Sequence, residues 1–390
     1  MFLVIELKKT AIRGLFFISI MFCAALLVNI RLNSDGSLTS NKDFIDKEEM
    51  SIILQELFNY RNRMLLTNDV KKVEALYDTG QKVGLWAFEH QARRIRYLHN
   101  WADKQGVRFI DIKTKLKVRW VKKKNDIITS NIVASTEYKY VYEDSPGQNS
   151  PEQNSLAKDL PSKINMFRIG TYHLLDLKVL NQKWLITREW YTDPFADSLR
   201  LDNIKTKENK EYIKAQKPQD FSQLAQRRLD AVAYADQYCG AAANEEYEYV
   251  YNKKYRNYNP LGGDCANFAS QILHEGGKFR KTRAWNYQRG GSPAWVNAQA
   301  FKDFMLGSKR ASLIASGSYD QVLKASYQLL PGDFIAYEKK GRVTHISVVT
   351  GADTRGYTYV NSHNTDRYHV PWDLGWSNRG IKFWLVRVHY

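Results

Sequence analysis

Cysteine is scarce in this chain: three in 390 residues, Cys23, Cys239 and Cys265. Thiols this few and this far apart exclude a disulfide-scaffolded fold and a multi-cysteine metal module. Proline is also sparse, at nine, which excludes a polyproline or collagen-like chain. No phosphate-cradling glycine loop occurs, and no zinc-finger, nucleotide-binding or RNA-binding pattern. His274-Glu275-Gly276-Gly277 opens like a zinc-protease helix, but Lys278 stands where the second histidine is needed. Acid is in deficit: 41 Asp and Glu face 58 Lys and Arg, for a formal net charge of +17. The chain is nevertheless 44% hydrophobic and 13% aromatic, which excludes a mainly disordered protein and allows two ordinary domains.

One long apolar run exists. Lys8, Lys9 and Arg13 precede Leu15 to Ile30, a stretch without charge. A basic n-region before an apolar h-region reads as an export signal over residues 1–30, cleaved or kept as a signal anchor. The positive flank places the bulk of the protein outside the membrane, secreted or held at the outer face of the cytoplasmic membrane or in the wall. Removing Lys8, Lys9, Arg13 and Glu6 leaves +15, spread over both halves. The expected polyanion is cell-wall polymer or an anionic membrane surface, met through basic faces, and not nucleic acid. Export also allows Cys239 and Cys265 to pair as a structural disulfide, the chief rival to any catalytic role for either.

Residues 40–198 read as a small α+β domain. A helix is expected over 45–66, with Met50, Ile53, Leu54, Leu57 and Phe58 on one side. A second helical stretch over 69–104 breaks near Gly80 or Gly84. Ile112, Thr114, Leu116, Val118 and Trp120 then alternate with Lys113, Lys115, Lys117 and Arg119, one packed strand face against one basic stripe. That stripe reads as a solvated face, with a polyanion site as the alternative. Further strands fall within 128–142 and 166–192, separated by a polar loop from Glu143 to Lys163. Helices followed by an antiparallel meander resemble the cone-shaped NTF2-like domains in element order. Residues 199–220 are charged and aperiodic, and read as the linker to a second domain over 221–390.

In that second domain Cys265 stands where a loop becomes a helix. Asp264 is a candidate N-cap and Gly276-Gly277 a stop, while Cys265, Phe268, Ala269 and Ile272 share one face. A thiol at the first turn of a helix meets the positive dipole end and unpaired amides, which favour thiolate. The bland alternative is a small buried hydrophobe. Downstream, His345 opens an apolar strand that runs to Gly351, and Asn361 and His363 share a face of the next strand. A hairpin of these strands puts a polar group beside the outer nitrogen of His345. Thiol, base and orienter are then available. The alternatives are hydrogen-bonded histidines without chemistry, or a zinc site from His345, His363 and His369.

The ordered set Asp264-Cys265-x-Asn267-Phe268-x-Ser270-Gln271, Gly276-Gly277, Gly332-Asp333, His345 to Gly351, and His363-x-Thr365-Asp366 resembles the putative amidase domain family. That family groups with the papain-like cell-wall hydrolases, near the NlpC-like and CHAP peptidases. The likeness covers about residues 225–390. Ala266 replaces the threonine common after the cysteine. The resemblance implies an α+β, papain-like domain with helices packed on an antiparallel sheet and the nucleophile at a helix N-terminus. It makes Cys265 the nucleophile and His345 the general base. The third member is His363, with Asn361 and Asp366 as rivals. It implies hydrolysis of a peptidoglycan amide, in the stem peptide or at muramoyl-alanine, through a thioester and with no metal or organic cofactor. A wall-binding protein without catalysis and an acyltransferase remain as alternatives on the same fold. Asn267 and Gln271 read as structural. Trp285, Trp295, Trp372 and Trp376 wall a cleft or pack a core.

Overall fold

A computed structural model of the chain describes residues 46–143, 164–193, 195, 206–244, 246–247, 249–376 and 379–390. The expected export segment at 1–30 lies outside the described residues, as does all but the first residue of the polar loop 143–163. No helix among the described residues is long and apolar enough to cross a membrane.

The chain is α+β, with helices on a large antiparallel sheet. Helix α1 (Lys47–Leu66) starts where the Asp46 carboxylate accepts from the Glu48 and Glu49 amides. It buries Met50, Ile53, Leu54, Leu57 and Phe58, each contributing about 1.5–3 kcal/mol relative to an exposed side chain. The second helical stretch is two pieces, α2 (Val70–Glu74) and α3 (Lys82–Gln105), parted by residues 75–81. Gly80 lies in that break, whereas Gly84 lies inside α3. A Cβ on Gly84 would meet the Asp78 carbonyl oxygen at 2.1 Å, so this glycine serves a close approach of chain to helix. Helix α3 ends at Gly106, whose φ of +71° makes the left-handed cap.

Strands β1 (Val107–Lys124), β2 (Ile127–Tyr142), β3 (Asn165–Leu180) and β4 (Lys183–Trp190) form the expected meander. In β1 the alternation holds as far as Val118: Ile112, Thr114 and Val118 are buried and Leu116 half-buried, with Lys113, Lys115, Lys117 and Arg119 exposed, but Trp120, expected on the packed face, is exposed because the register shifts after Val118. The expected linker holds a helix, α4 (Thr206–Lys214), tied down by Asn209 Nδ2 donating to Asp320 at 2.7 Å. The second module adds α5 (Gln226–Gln237), α6 (Cys265–Gln271), α7 (Pro293–Val296), α8 (Ala298–Gly307) and α9 (Tyr319–Ser326). Its strands are β5 (Ala311–Gly317), β6 (Phe334–Lys339), β7 (Arg342–Ala352), β8 (Thr358–Ser362), β9 (Asp366–Pro371) and β10 (Ile381–Val388).

The two modules share one sheet among the described residues, in the order β1-β2-β3-β9-β8-β7-β6-β10-β5. The joint is β3: one stretch of it pairs β9 (Gly170 with Asp366) and the next pairs β4. Gly170 makes this possible, because a Cβ there would lie 2.6 Å from the Ala241 side chain. Buried polar groups reinforce the joint. Asp373 accepts from Trp101 Nε1 at 3.2 Å, from Tyr357 OH at 2.8 Å and from Lys104. Asp353 accepts from the hydroxyls of Tyr140 and Tyr142.

Candidate active site

Cys265 is the first residue of α6 and is buried, 6% exposed. Asp264 occupies the N-cap position but its carboxylate does not cap. One oxygen accepts from the Tyr258 amide at 2.9 Å and from Asn267 Nδ2 at 2.8 Å. The other faces His363 Nδ1 at 2.5 Å. The Asp264 amide donates to Asn364 Oδ1 at 2.5 Å. The loop before α6 and the loop after β8 are thereby stitched together on either side of the cysteine.

Burial pushes the Cys265 thiol up to about 11, outweighing the backbone N–H groups of Ile346 and Ala266, which favour thiolate. The expected thiolate is therefore a protonated thiol in this resting arrangement. Cys239 is a second free thiol, pushed well up by burial and by the charge of Asp236, with its Sγ donating to the Asp236 carbonyl at 3.3 Å. The two cysteines are not joined, so the disulfide alternative is not what is seen.

His363 stacks on Phe268, one turn along α6, with ring centroids 3.7 Å apart and planes within 6°. Its Nδ1 faces the Asp264 carboxylate and its Nε2 the Tyr238 carbonyl at 2.8 Å. Both partners only accept, so both ring nitrogens must donate, which is the imidazolium form. Burial opposes that charge, but the hydrogen bond and charge of Asp264 prevail and the pKa is raised.

His345 lies on β7, next to the Ile346 amide that reaches the thiol. Its ring packs beside Tyr337 and Trp376, at 5.5 and 5.1 Å between centroids, and Nε2 has no hydrogen-bond partner. Burial, and then the charge of Arg367, holds it well below 6.5, so it is neutral. No hydrogen bond joins the imidazole to the thiol. None joins His345 to the expected orienters either. Asn361 accepts from Thr350 at 3.1 Å and from the His369 amide at 2.8 Å, and donates to Asp236 at 2.8 Å. Asp366 accepts from the Ala241 amide at 2.9 Å and from the hydroxyls of Tyr172 and Tyr251. The structure thus ties His363 to Asp264, the residue before Cys265, and gives the His345 ring no hydrogen bond to any of the three.

Asn267 and Gln271 bind other groups: Asn267 accepts from Trp295 Nε1 at 2.9 Å, and Gln271 from Tyr234 OH at 3.0 Å. Trp285, Trp295 and Trp372 are fully buried core. Trp376 stacks on Tyr337 at 4.1 Å, beside His345. No cluster of three or more His, Cys, Asp or Glu suited to a metal occurs among the described residues.

Residues 225–386 match the family described as a putative amidase domain. The amidase-domain segment therefore contains Cys265, His345, Asn361, His363 and Asp366. YhbB of Bacillus subtilis (strain 168), itself described as uncharacterized, is 30% identical over 161 residues. That alignment covers 39% of this chain and 50% of YhbB, so the chain spans about half the length of that relative. Among solved structures, the intermembrane-space region of the chloroplast protein ARC6 is 11% identical, with a TM-score of 0.25 over 40% of this chain and 99% of that one. An Exiguobacterium sibiricum protein described as a calcium/calmodulin-dependent kinase II association domain is 12% identical, with a TM-score of 0.21 over 39% and 96%. Scores this low carry no argument about fold or function.

A cleft of about 840 Å³ opens beside the loops that flank Cys265 and His363. Gly262 and Gly263, just before Asp264 and Cys265, form part of its wall, and so do Asn364 and Thr365, just after His363. Its other side is the first module's sheet. Gly263 has a φ of +143°, and a Cβ there would meet Asn364 Nδ2 at 2.4 Å, so a glycine is needed where the two site loops cross.

Sequence reading missed the pairing of Asp264 with His363. The motif contains both residues, but Asp264 was accounted for as a cap. Contacts 99 residues apart leave no local periodicity to read.

Proposed function

We propose that the protein is an exported cysteine amidohydrolase, with a papain-like catalytic module and an NTF2-like module before it, cleaving a peptidoglycan amide in the stem peptide or at muramoyl-alanine. The observation that carries the reading is Cys265 at the start of α6, directly after Gly262-Gly263 of the cleft wall and beside the Asp264–His363 pair. The amidase-family match supports amide chemistry in general.

His345 is the proposed base. Its neutral ring with an unused Nε2 can accept a proton, and the hydrogen bond to a nucleophile often tightens only when substrate is bound. The thiol proton passes to His345, and the sulfur bonds to the amide carbon. The carbon–nitrogen bond breaks and the amine leaves with that proton. Water, losing a proton to His345, then adds to the thioester. The products are a carboxylate and an amine, and the thiol is restored. The Cys265 backbone N–H is the proposed oxyanion donor. His363 and Asp264, as a buried ion pair, fix the cysteine loop against the loop after β8.

A second reading, a wall-binding protein with an inactive site, draws on the protonated thiol and the missing bond between His345 and Cys265. Digestion of purified peptidoglycan separates the two. New amine and carboxylate ends from the wild type, absent with Cys265→Ala and strongly reduced with His345→Ala, support hydrolysis. No cysteine-dependent ends would leave only the binding role.

A further inference from the structure

We infer that the cleft between the modules is the substrate-binding site, and that Lys117 and Arg119 of the first module hold a carboxylate of an anionic, sugar-bearing amide substrate. This rests on the amidase reading but adds a recognition site that lies outside the amidase-domain segment.

The floor of the cleft follows from strand register. Lys117 on β1 lies opposite Val133 on β2, which lies opposite Tyr172 on β3. All three line the cleft. Arg119, two residues on at the register shift after Val118, lines the cleft with Lys117, and both are exposed. Neither forms an ion pair among the described residues, whereas Lys113 on the same strand is paired with Asp111 at 3.1 Å. Lys117 Nζ sits 4.9 Å from the centroid of the Tyr249 ring, a contact that holds the ammonium without neutralising it. The charge of Arg119 acts on Tyr172.

Among the described residues, no Asp or Glu lines the cleft. The buried carboxylate of Asp366 is covered by the hydroxyls of Tyr172 and Tyr251. Two cations without an ion-pair partner among the described residues, set in a concave wall, attract and focus an anion. The remaining recognition surface is aromatic and amide: Trp190, 67% exposed, with Tyr249, Tyr251 and Asn259. A flat indole face open to solvent suits the apolar face of a sugar ring, and the asparagines suit its hydroxyls. A ligand anchored on Lys117 and Arg119 faces Gly262-Gly263 and Asn364, the chain neighbours of Asp264-Cys265 and His363.

The cleft also accounts for the shared sheet. Pairing of β3 with β9 holds the basic stripe against the cysteine loop as one rigid wall, which a flexible linker could not do.

Binding can be measured without turnover. The full chain carrying Cys265→Ala is titrated calorimetrically with a soluble disaccharide-tetrapeptide fragment of peptidoglycan, and with the same fragment after its carboxylates are amidated. Adding Lys117→Gln and Arg119→Gln is expected to weaken binding of the native fragment roughly ten- to hundredfold, the scale of one or two charge-assisted contacts. The expected effect on the amidated fragment is small. Lys122→Gln, on the same strand but outside the cleft lining, should leave binding unchanged. Equal binding by the double variant, or equal binding of both fragments, would overturn the assignment, as would no binding at all. Fragment binding that depends on Lys117 and Arg119 would stand even if the wild type cut nothing, so failure of the hydrolase reading is seen separately.

Discussion

Asp264→Asn tests the arrangement around Cys265 through its charge. Asp264 and His363 are 1% and 2% exposed, 2.5 Å apart, and Phe268 covers the ring. A hydrogen bond to a charged group contributes about 1.5–3 kcal/mol, and breaking a buried pair costs about 3–5 kcal/mol. The asparagine keeps an acceptor but not the charge, so about 3 kcal/mol is the expected loss at pH 6. The pH dependence gives the sign. The folded pKa of His363 is raised above its ordinary 6.5. Its contribution is fully present below about 6.5 and is lost as pH rises through the raised value. Wild type and variant should therefore differ most near pH 6 and converge in alkali. Urea unfolding followed by tryptophan fluorescence from pH 6 to 10 reads the gap, and the His363 ring-proton shift reads the titration itself. A gap independent of pH, or a His363 titration at or below 6.5 in the wild type, would refute the charged pair.

Three further outcomes follow from other parts of the molecule. The Cys265 thiol is expected to titrate near 11 by thiolate absorbance in the resting protein, compared with Cys265→Ala; a midpoint below 8.5 would show that the helix terminus outweighs burial. Gly263→Ala should cost about 1–3 kcal/mol in unfolding free energy and loosen the Asp264–Asn364 contact, because its φ of +143° and the 2.4 Å approach to Asn364 Nδ2 leave no room for a Cβ. Asp373→Ala strands the buried Lys104 ammonium, together with the Trp101 and Tyr357 donors; the expected loss is about 3–5 kcal/mol, read as a lowered chemical-unfolding midpoint, and an unchanged midpoint would contradict the cross-module role.

Local pattern carried much of the fold. The alternation of Ile112 to Val118 with lysine marked a strand with one packed face, though not the register shift that exposes Trp120, and the spacing of Met50, Ile53, Leu54 and Leu57 marked a buried helix face. Both depend only on neighbours two to four residues away. The start of α6 at Cys265 was legible for the same reason. Pairing of Gly170 with Asp366, which welds the modules into one sheet, left no local trace, because it is chosen by tertiary packing against Ala241. The site divides likewise. The position of Cys265 at a helix start was readable, but burial that opposes its expected ionisation was not. The basic stripe was visible as a stripe. That Lys117 and Arg119 face the cysteine loop follows from a joint formed by strands far apart in the chain.

The central claim is that the Cys265 sulfur becomes acylated by an amide substrate. It is tested most directly by acid quenching the full chain during reaction with a disaccharide-tetrapeptide fragment and locating any adduct by peptide mass. The account predicts a hydroxylamine-labile acyl group on the peptide containing Cys265, and neither adduct nor product with Cys265→Ala. Product released by Cys265→Ala, or an adduct on Cys239 alone, would contradict it.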